Sequence, residues 1–248
     1  MILMPLPEED FDPSETSIPW KILRENQIRI TFATPTGKQG KADPKMLTGE
    51  TLGIFKPALM AGKDAREDYL EMCEDPSFQN PIPYEQISSS QFDGILLPGG
   101  HAKGMRPYLE SKVLQDTIVD FFGENKPVGA ICHGVLLVAR SIDPKTNQSV
   151  IFDYQTTSLL KKQELFAYNL TRLWLGDYYL TYAITVEDEV KSYLKSTSQF
   201  QKGNSGLFRD STENTKSGFV VKDRNYLSAR WPGDAHLFAY EYLKMLKS

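Results

Sequence analysis

Cysteine is scarce in this sequence: Cys73 and Cys132 are the only two among 248 residues. Two cysteines cannot form the disulfide framework of a small secreted domain, and neither lies in a Cys-x-x-Cys pair typical of zinc or thioredoxin-like redox sites. No run approaches the roughly 20 apolar residues of a membrane helix, and the short apolar N-terminus lacks the basic region of a signal peptide. We therefore expect a soluble, cytoplasmic protein in a reducing environment, without a membrane partner, metal or cofactor.

A surplus of positive charge is also missing. The chain has 28 basic and 32 acidic residues, a formal net charge of −4, and no Lys/Arg cluster longer than Lys161-Lys162. This balance gives no support for a nucleic-acid partner. The chain is 40% hydrophobic and 24% charged, which is typical of a globular protein long enough to bury a core without disulfides or metals.

Short apolar segments alternate with amphipathic ones along most of the chain. This pattern predicts βαβ units and a three-layer, doubly wound, mostly parallel sheet. A long loop is expected at 34–55, and a loop or short edge strand at 82–90. The expected strands are 1–6, 28–33, 93–98, 127–131, 218–222 and 226–230, the last two as a hairpin, and the expected helices are 15–26, 58–73, 111–123, 133–140 and 234–246.

The pattern loosens between about 146 and 217. This stretch contains Trp174, the pair Tyr178-Tyr179 and a helix-like segment at 186–194, followed by a polar stretch rich in Gly, Ser and Asn. We expect a single domain over 1–248 that carries an insertion or cap at 146–217.

One cysteine stands where a strand passes directly into a helix. In the segment Pro127-Val-Gly-Ala-Ile-Cys-His-Gly134 no loop residue separates the apolar strand from the following helix, so Cys132 is predicted at the apex of a sharp, strained turn. Open α/β sheets bind ligands at this carboxyl edge. A helix N-terminus also favours a thiolate, which predicts a lowered pKa and a nucleophilic cysteine. The alternative is that Cys132 is merely a small buried residue, because free cysteine is often buried.

The residues around this turn resemble a known family. Ala130-Ile-Cys-His-Gly134, preceded by Asp93-Gly-Ile-Leu-Leu-Pro-Gly-Gly-His101, is similar to the ThiJ/PfpI superfamily, and the glyoxalase III and chaperone-like branch is the nearest. Pro13-Ser-Glu-Thr16 and the closing Tyr226–Asp234 segment add two further matches. The resemblance covers about 1–140 and 218–248. It implies the flavodoxin-like, class I glutamine-amidotransferase-like fold and a homodimer.

The resemblance also assigns roles to matching residues. Cys132 matches the nucleophile, Glu15 the glutamate that contacts its sulfur, and His133 the histidine of general acid/base chemistry. Gly100 and the His133 N–H match an oxyanion hole, next to Gly99. His101, which follows these glycines, is either a pocket residue or an exposed loop residue.

The expected third member of a catalytic triad is missing from its usual place. Several relatives carry an acid about thirty residues after the cysteine, whereas this chain has Thr156 to Glu164 there, with Glu164 as a nearby candidate. Late in the chain His236 lacks the His-x-Glu pattern of glutamine amidotransferases. Asp234 is more simply explained as a helix N-cap.

Three functions remain open from the sequence. The first is a cysteine-dependent enzyme that acts on small reactive carbonyl compounds, as in a glutathione-independent glyoxalase, or a related cysteine amidase or peptidase. The second is a redox-sensing stress protein or holdase chaperone built on Cys132 and Glu15. The third, a glutamine amidotransferase subunit, lacks its histidine signature. The presence of His133 favours the enzyme, with a small carbonyl compound as substrate.

Overall fold

Seven strands form the central sheet of the protein, for which a computed structural model describes residues 1–204, 206 and 208–247. Their order is β3-β2-β1-β4-β5-β9-β8, and every pair is parallel except β8 with β9. A separate two-stranded antiparallel sheet contains β6 and β7. The strands are β1 (Ile2–Pro5), β2 (Ile30–Thr34), β3 (Ile82–Pro83), β4 (Gly94–Leu97), β5 (Val128–Ile131), β6 (Ile142–Asp143), β7 (Gln148–Ser149), β8 (Val220–Asp223) and β9 (Tyr226–Ala229).

Helices cover both sides of this sheet, as expected for the flavodoxin-like fold. Helix α1 packs against α4 and α11, whereas α7 and α8 pack together beside β5. The helices are α1 (Pro13–Glu25), α2 (Pro44–Thr48), α3 (Lys56–Leu59), α4 (Lys63–Cys73), α5 (Pro76–Gln79), α6 (Arg106–Leu109), α7 (Lys112–Gly123), α8 (Gly134–Ala139), α9 (Lys161–Leu175), α10 (Val186–Ser192) and α11 (Ala235–Leu246).

The direction of winding reverses at β1. The chain passes from β1 to β2 and the edge strand β3, then returns to the other side of β1 as β4. The residues of β1, β4 and β5 are all buried, because helices cover both faces of these strands. The loops that leave β1 and β4 therefore diverge at the carboxyl edge of the sheet and create the crevice where such folds bind ligands.

The predicted strands and helices are found in the structure, which also contains the unpredicted short elements α5, α6, β6 and β7 and differs from the prediction in three further respects. The loop expected at 34–55 contains α2, which Asp43 caps through the backbone N–H of Lys45. The single helix expected at 58–73 is divided into α3 and α4, because Met60 has an extended backbone and Gly62 begins the second helix. Helix α9 was not predicted, and its large apolar side chains explain why: Phe166 and Leu173 are 65% and 91% exposed and mark no buried stripe.

The segment 146–217 packs onto the sheet. Its apolar residues Ile151, Leu160, Val186 and Phe200 belong to the same buried cluster as the strands. Within residues 1–204, 206 and 208–247, no helix is both long and apolar enough to cross a membrane.

Asp234 has a different role from the expected helix cap. It occupies the N-cap position of α11, but its carboxylate pairs with the fully buried guanidinium of Arg230 at 2.7 and 2.8 Å. Asp210 instead caps the N-terminus of α11, because it accepts hydrogen bonds from the backbone N–H groups of His236 and Leu237. The imidazole of His236 lies between Asp210 and Asp64, and hydrogen bonds with these carboxylates raise its pKa to about 9 despite burial.

The Arg230–Asp234 ion pair provides a test of this packing. The change Asp234→Ala leaves a buried guanidinium without its counter-charge, so we expect the free energy of unfolding to fall by about 3–5 kcal/mol in urea denaturation. The matched control is Asp116→Ala, which breaks the exposed pair with Lys112 and should cost about 0.5 kcal/mol or less. Equal losses for the two variants would contradict the structural role of the buried pair.

Candidate active site

Cys132 lies at the sharp turn that its sequence predicts. Its φ angle is +57°, a left-handed conformation that is uncommon for residues other than glycine, and α8 begins two residues later. Its N–H donates to the carbonyl of Ala229 at 3.1 Å, which ties the turn to β9. Gly134 allows the start of α8 to pass close to the end of β4, because a Cβ there would lie 2.1 Å from the carbonyl oxygen of Leu97. The thiol is thus held at the carboxyl edge of the sheet, with only 5% of the residue exposed.

Glu15 reaches this turn from the first turn of α1. Asp12 caps that helix by accepting from the backbone N–H groups of Ser14 and Glu15 at 2.8 and 3.1 Å. The fully buried Glu15 carboxyl group accepts from the N–H of Gly99 at 2.9 Å through Oε2 and interacts with the Cys132 thiol. The other carboxyl oxygen, Oε1, has no hydrogen-bond partner among the described residues.

Two glycines after β4 allow Glu15 and Cys132 to meet. A Cβ on Gly99 would lie 2.6 Å from Oε2 of Glu15 and 2.9 Å from Cβ of Cys132. A Cβ on Gly100 would lie 2.6 Å from the carbonyl oxygen of Asp10. The Gly99 N–H is already bound to Glu15, whereas the N–H of Gly100 has no protein acceptor in the described part of the chain.

His133 contacts the thiol on one side and a threonine on the other. Its Nδ1 lies 3.5 Å from Sγ of Cys132, and its Nε2 lies 3.0 Å from Oγ1 of Thr181. The Thr181 hydroxyl donates to the carbonyl oxygen of His101 at 2.5 Å. Sequence reasoning missed Thr181, because it lies 48 residues after His133 in segment 146–217 and belongs to no motif.

The other predicted site residues lie away from the imidazole of His133; they are Glu164, Asp234 and His236. Glu164 accepts from the backbone N–H of Val186 at 2.9 Å and so stabilises the start of α10. Asp234 and His236 are occupied by the ion pairs beside α11 described above. The structure therefore brings Cys132, Glu15 and His133 together but does not add Glu164 to them.

His101 forms part of the wall next to this site. Its ring stacks on Tyr179 at 4.4 Å and meets Tyr178 edge-on at 4.8 Å. Its Nε2 is buried without a partner among the described residues, and burial lowers its pKa. A cavity of about 320 Å³ lies beside it and is lined by charged and polar groups that include Asp10, Asp43, Lys45, Lys103, Asp177 and Tyr178.

The thiol does not have the lowered pKa that the sequence suggested. Burial raises the pKa of Cys132, and the carboxyl groups of Glu15 and Asp12 raise it further, whereas the His133 N–H lowers it only in part. Helix α8 has only six residues, so its dipole cannot outweigh burial beside two acids.

The acid and the imidazole are shifted in opposite directions. Burial raises the pKa of Glu15 well above its ordinary value, with a further contribution from Asp12. Burial, His101 and Arg140 lower the pKa of His133 to about 3. At neutral pH the imidazole is therefore uncharged and the thiol is protonated.

Alkylation of the thiol tests this electrostatic account. In a Cys73→Ser background, the alkylation rate of Cys132 should reach half its maximum above pH 8.5, the ordinary thiol pKa. The change Glu15→Gln removes a negative charge that disfavours the thiolate, so the midpoint should move to lower pH. A midpoint below 8.5 in the parent protein, or an upward shift in the variant, would contradict the account.

The close approach at Gly99 gives a second test. The change Gly99→Ala should lower the free energy of unfolding by about 1–3 kcal/mol, because the new methyl group meets Glu15 and Cys132. Gly123→Ala is the matched control, since a Cβ there has no atom within 4 Å and the residue lies in α7. Urea denaturation of both variants measures the difference, and an unaffected Gly99→Ala protein would refute the proposed packing.

Known proteins share both sequence and fold with this chain. A match to an uncharacterized protein of Schizosaccharomyces pombe is 27% identical over 118 residues and spans 47% of this chain but only 43% of that protein. A deglycase of Thermococcus kodakarensis is 25% identical over 166 residues, which cover 67% of this chain and 69% of the deglycase. The structure of glyoxalase III from Candida albicans superimposes with a TM-score of 0.73 at 17% identity and covers 98% of this chain and 96% of that one.

The family itself is established by a wider match. The family model described as ThiJ/PfpI family-like matches residues 6–204, which include the turns that carry Glu15, Gly99 and Cys132. The chain belongs to the ThiJ/PfpI family.

Proposed function

We propose that the protein is a cysteine-dependent enzyme that converts small 2-oxoaldehydes such as methylglyoxal to 2-hydroxy acids without glutathione. One observation carries this proposal: the buried Cys132 thiol lies in a left-handed turn, beside the Glu15 carboxyl group and 3.5 Å from the His133 imidazole. Such a site offers a nucleophile and a proton-transfer group to one small substrate.

Similar proteins support this chemistry. The relatives include two proteins named deglycases, from Thermococcus kodakarensis and Pyrococcus furiosus, and the structural neighbours include a glyoxalase III. The two deglycases, at 25% and 24% identity, support a related function for this chain.

In the first step, Sγ of Cys132 attacks the aldehyde carbon of the substrate. A C–S bond forms, the carbonyl π bond breaks, and the thiol proton passes through Glu15 to the aldehyde oxygen, which gives a hemithioacetal. The Gly100 N–H and the nearby N–H of His133 would stabilise the developing negative charge on that oxygen. The raised pKa of the thiol suits this step, because the proton leaves only as the C–S bond forms.

In the second step, a proton moves between the two substrate carbons. In its ionised form, Glu15 removes the C1 proton to give an enediol and returns it to C2, while the hydroxyl proton on C1 passes to the oxygen on C2. The hemithioacetal thereby becomes a 2-hydroxyacyl thioester. Glu15 is better suited than His133, because a base is most effective when its pKa lies near the working pH. Burial raises the pKa of Glu15 above that of an ordinary carboxyl group, whereas burial lowers the pKa of His133 to about 3. We therefore assign His133 a hydrogen-bonding role.

Water completes the cycle. It attacks the thioester carbon, the C–S bond breaks, and Cys132 recovers its proton as the hydroxy acid leaves. The net reaction adds one water to the 2-oxoaldehyde and needs no external oxidant or reductant.

Two features favour this function over the alternatives. A redox-sensing cysteine depends on an accessible, low-pKa thiol, whereas Cys132 is nearly buried and its pKa is raised. A peptidase must admit an extended chain, whereas segment 177–182 of the cap packs against the site through contacts with His101 and His133.

Turnover of methylglyoxal without glutathione tests the proposal. The wild type and Cys73→Ser should form lactate at similar rates, and Cys132→Ala should fall to the uncatalysed rate. Glu15→Gln should lose about 10²- to 10⁴-fold in kcat, because it cannot move the proton. Circular dichroism confirms that each variant is folded. Equal lactate formation by the wild type and Cys132→Ala would overturn the proposal.

A further inference from the structure

We propose that Thr181 is the positioning residue for His133: its hydroxyl oxygen accepts the Nε2–H and thereby leaves an unprotonated Nδ1 facing the sulfur of Cys132. This inference deepens the proposed function, since it explains how the imidazole beside the nucleophile is oriented. The hydrogen-bond geometry supports this role of Thr181 whatever the substrate is.

The direction of each hydrogen bond follows from counting hydrogen atoms. A threonine hydroxyl has one hydrogen, and that of Thr181 is committed to the His101 carbonyl oxygen, which can only accept. At the second contact, 3.0 Å long, Oγ1 must therefore accept from Nε2 of His133. A neutral imidazole carries one ring hydrogen, so with Nε2 protonated the Nδ1 that lies 3.5 Å from Sγ has a free lone pair.

The backbone of Thr181 is itself firmly placed. The guanidinium of Arg106 donates to its carbonyl oxygen through Nε at 3.1 Å and Nη2 at 2.6 Å. The neighbouring Tyr182 donates to Glu110 at 2.8 Å, and Arg106 lies 5.2 Å from its ring centroid. These contacts join the cap to the segment 106–110 of the main body and hold the Thr181 hydroxyl against His133.

A hydroxyl and a carboxylate would affect His133 differently. A carboxylate at Nε2 would stabilise the imidazolium and so favour proton uptake by the ring, whereas a neutral hydroxyl fixes the orientation without that charge. The site thus keeps a neutral, oriented imidazole beside Cys132 and leaves proton transfer to Glu15. The candidate acid, Glu164, is engaged with the N-terminus of α10 instead.

Nitrogen NMR of ¹⁵N-histidine-labelled protein tests the inference directly. The chain has three histidines, and the His133 signals are assigned by their loss in His133→Asn. In the wild type at neutral pH, Nε2 should carry the hydrogen and Nδ1 should not. Thr181→Val, which keeps the shape but removes the hydroxyl, should give a mixture of both tautomers. Thr181→Ser should restore the single tautomer, and Thr171→Val, a buried threonine of the same cap, should leave it unchanged.

Thr181→Val should also change the reactivity of the thiol and the turnover. In Thr181→Val, an Nδ1–H that donates to sulfur favours the thiolate, so the alkylation midpoint should move to lower pH. We expect kcat for methylglyoxal to fall about 10- to 100-fold with little change in KM, because Thr181 orients the imidazole and does not bind substrate.

The outcomes separate this inference from the proposed reaction. A wild-type His133 that carries its hydrogen on Nδ1, or a Thr181→Val protein with an unchanged spectrum and alkylation midpoint, overturns the inference even if methylglyoxal is turned over. The expected tautomer in a protein without methylglyoxal turnover supports the role of Thr181 and rejects the proposed substrate.

Discussion

The contact between Glu15 and Cys132 is the constraint on which the site depends. The carboxyl group is fully buried, is held by the N–H of Gly99, and lies against a thiol that is also buried. Two acidic groups in such an environment cannot both ionise easily, so each raises the cost of charging the other. The two groups can therefore exchange a proton with each other and with a bound substrate, as the proposed reaction requires.

This contact is possible only because of the way the sheet is wound. Glu15 follows β1, Gly99 follows β4 and Cys132 follows β5, so three adjacent parallel strands deliver them to one edge. The loops after β1 and β4 diverge there, and the missing side chain of Gly99 allows the acid to reach the turn. Segment 146–217 lies on the opposite side of His133 and contributes Thr181, which is far away in sequence.

Much of this arrangement could be predicted from sequence, because short apolar strands with distinctive turns report on local structure. Cys132 and Gly99 stand directly after such strands, whereas Glu15 was identified through the resemblance to the ThiJ/PfpI family. The thiol pKa was predicted with the wrong sign, because the buried carboxyl groups of distant segments outweigh a six-residue helix. Thr181 could not be predicted, because its contact with His133 depends on how segment 146–217 packs against the sheet. That packing has no signature in the periodicity of the sequence.

The central claim is that Glu15 retains a proton far above the pH at which an exposed glutamate ionises, near 4.3. Infrared difference spectroscopy between the wild type and Glu15→Gln, recorded as a function of pH, measures this directly through the carboxylic acid C=O stretch. The account predicts a protonated-carboxyl band that persists well above pH 4.5 and is absent from the variant. A band that disappears near pH 4.3 would show an ordinary, ionised glutamate and contradict the account.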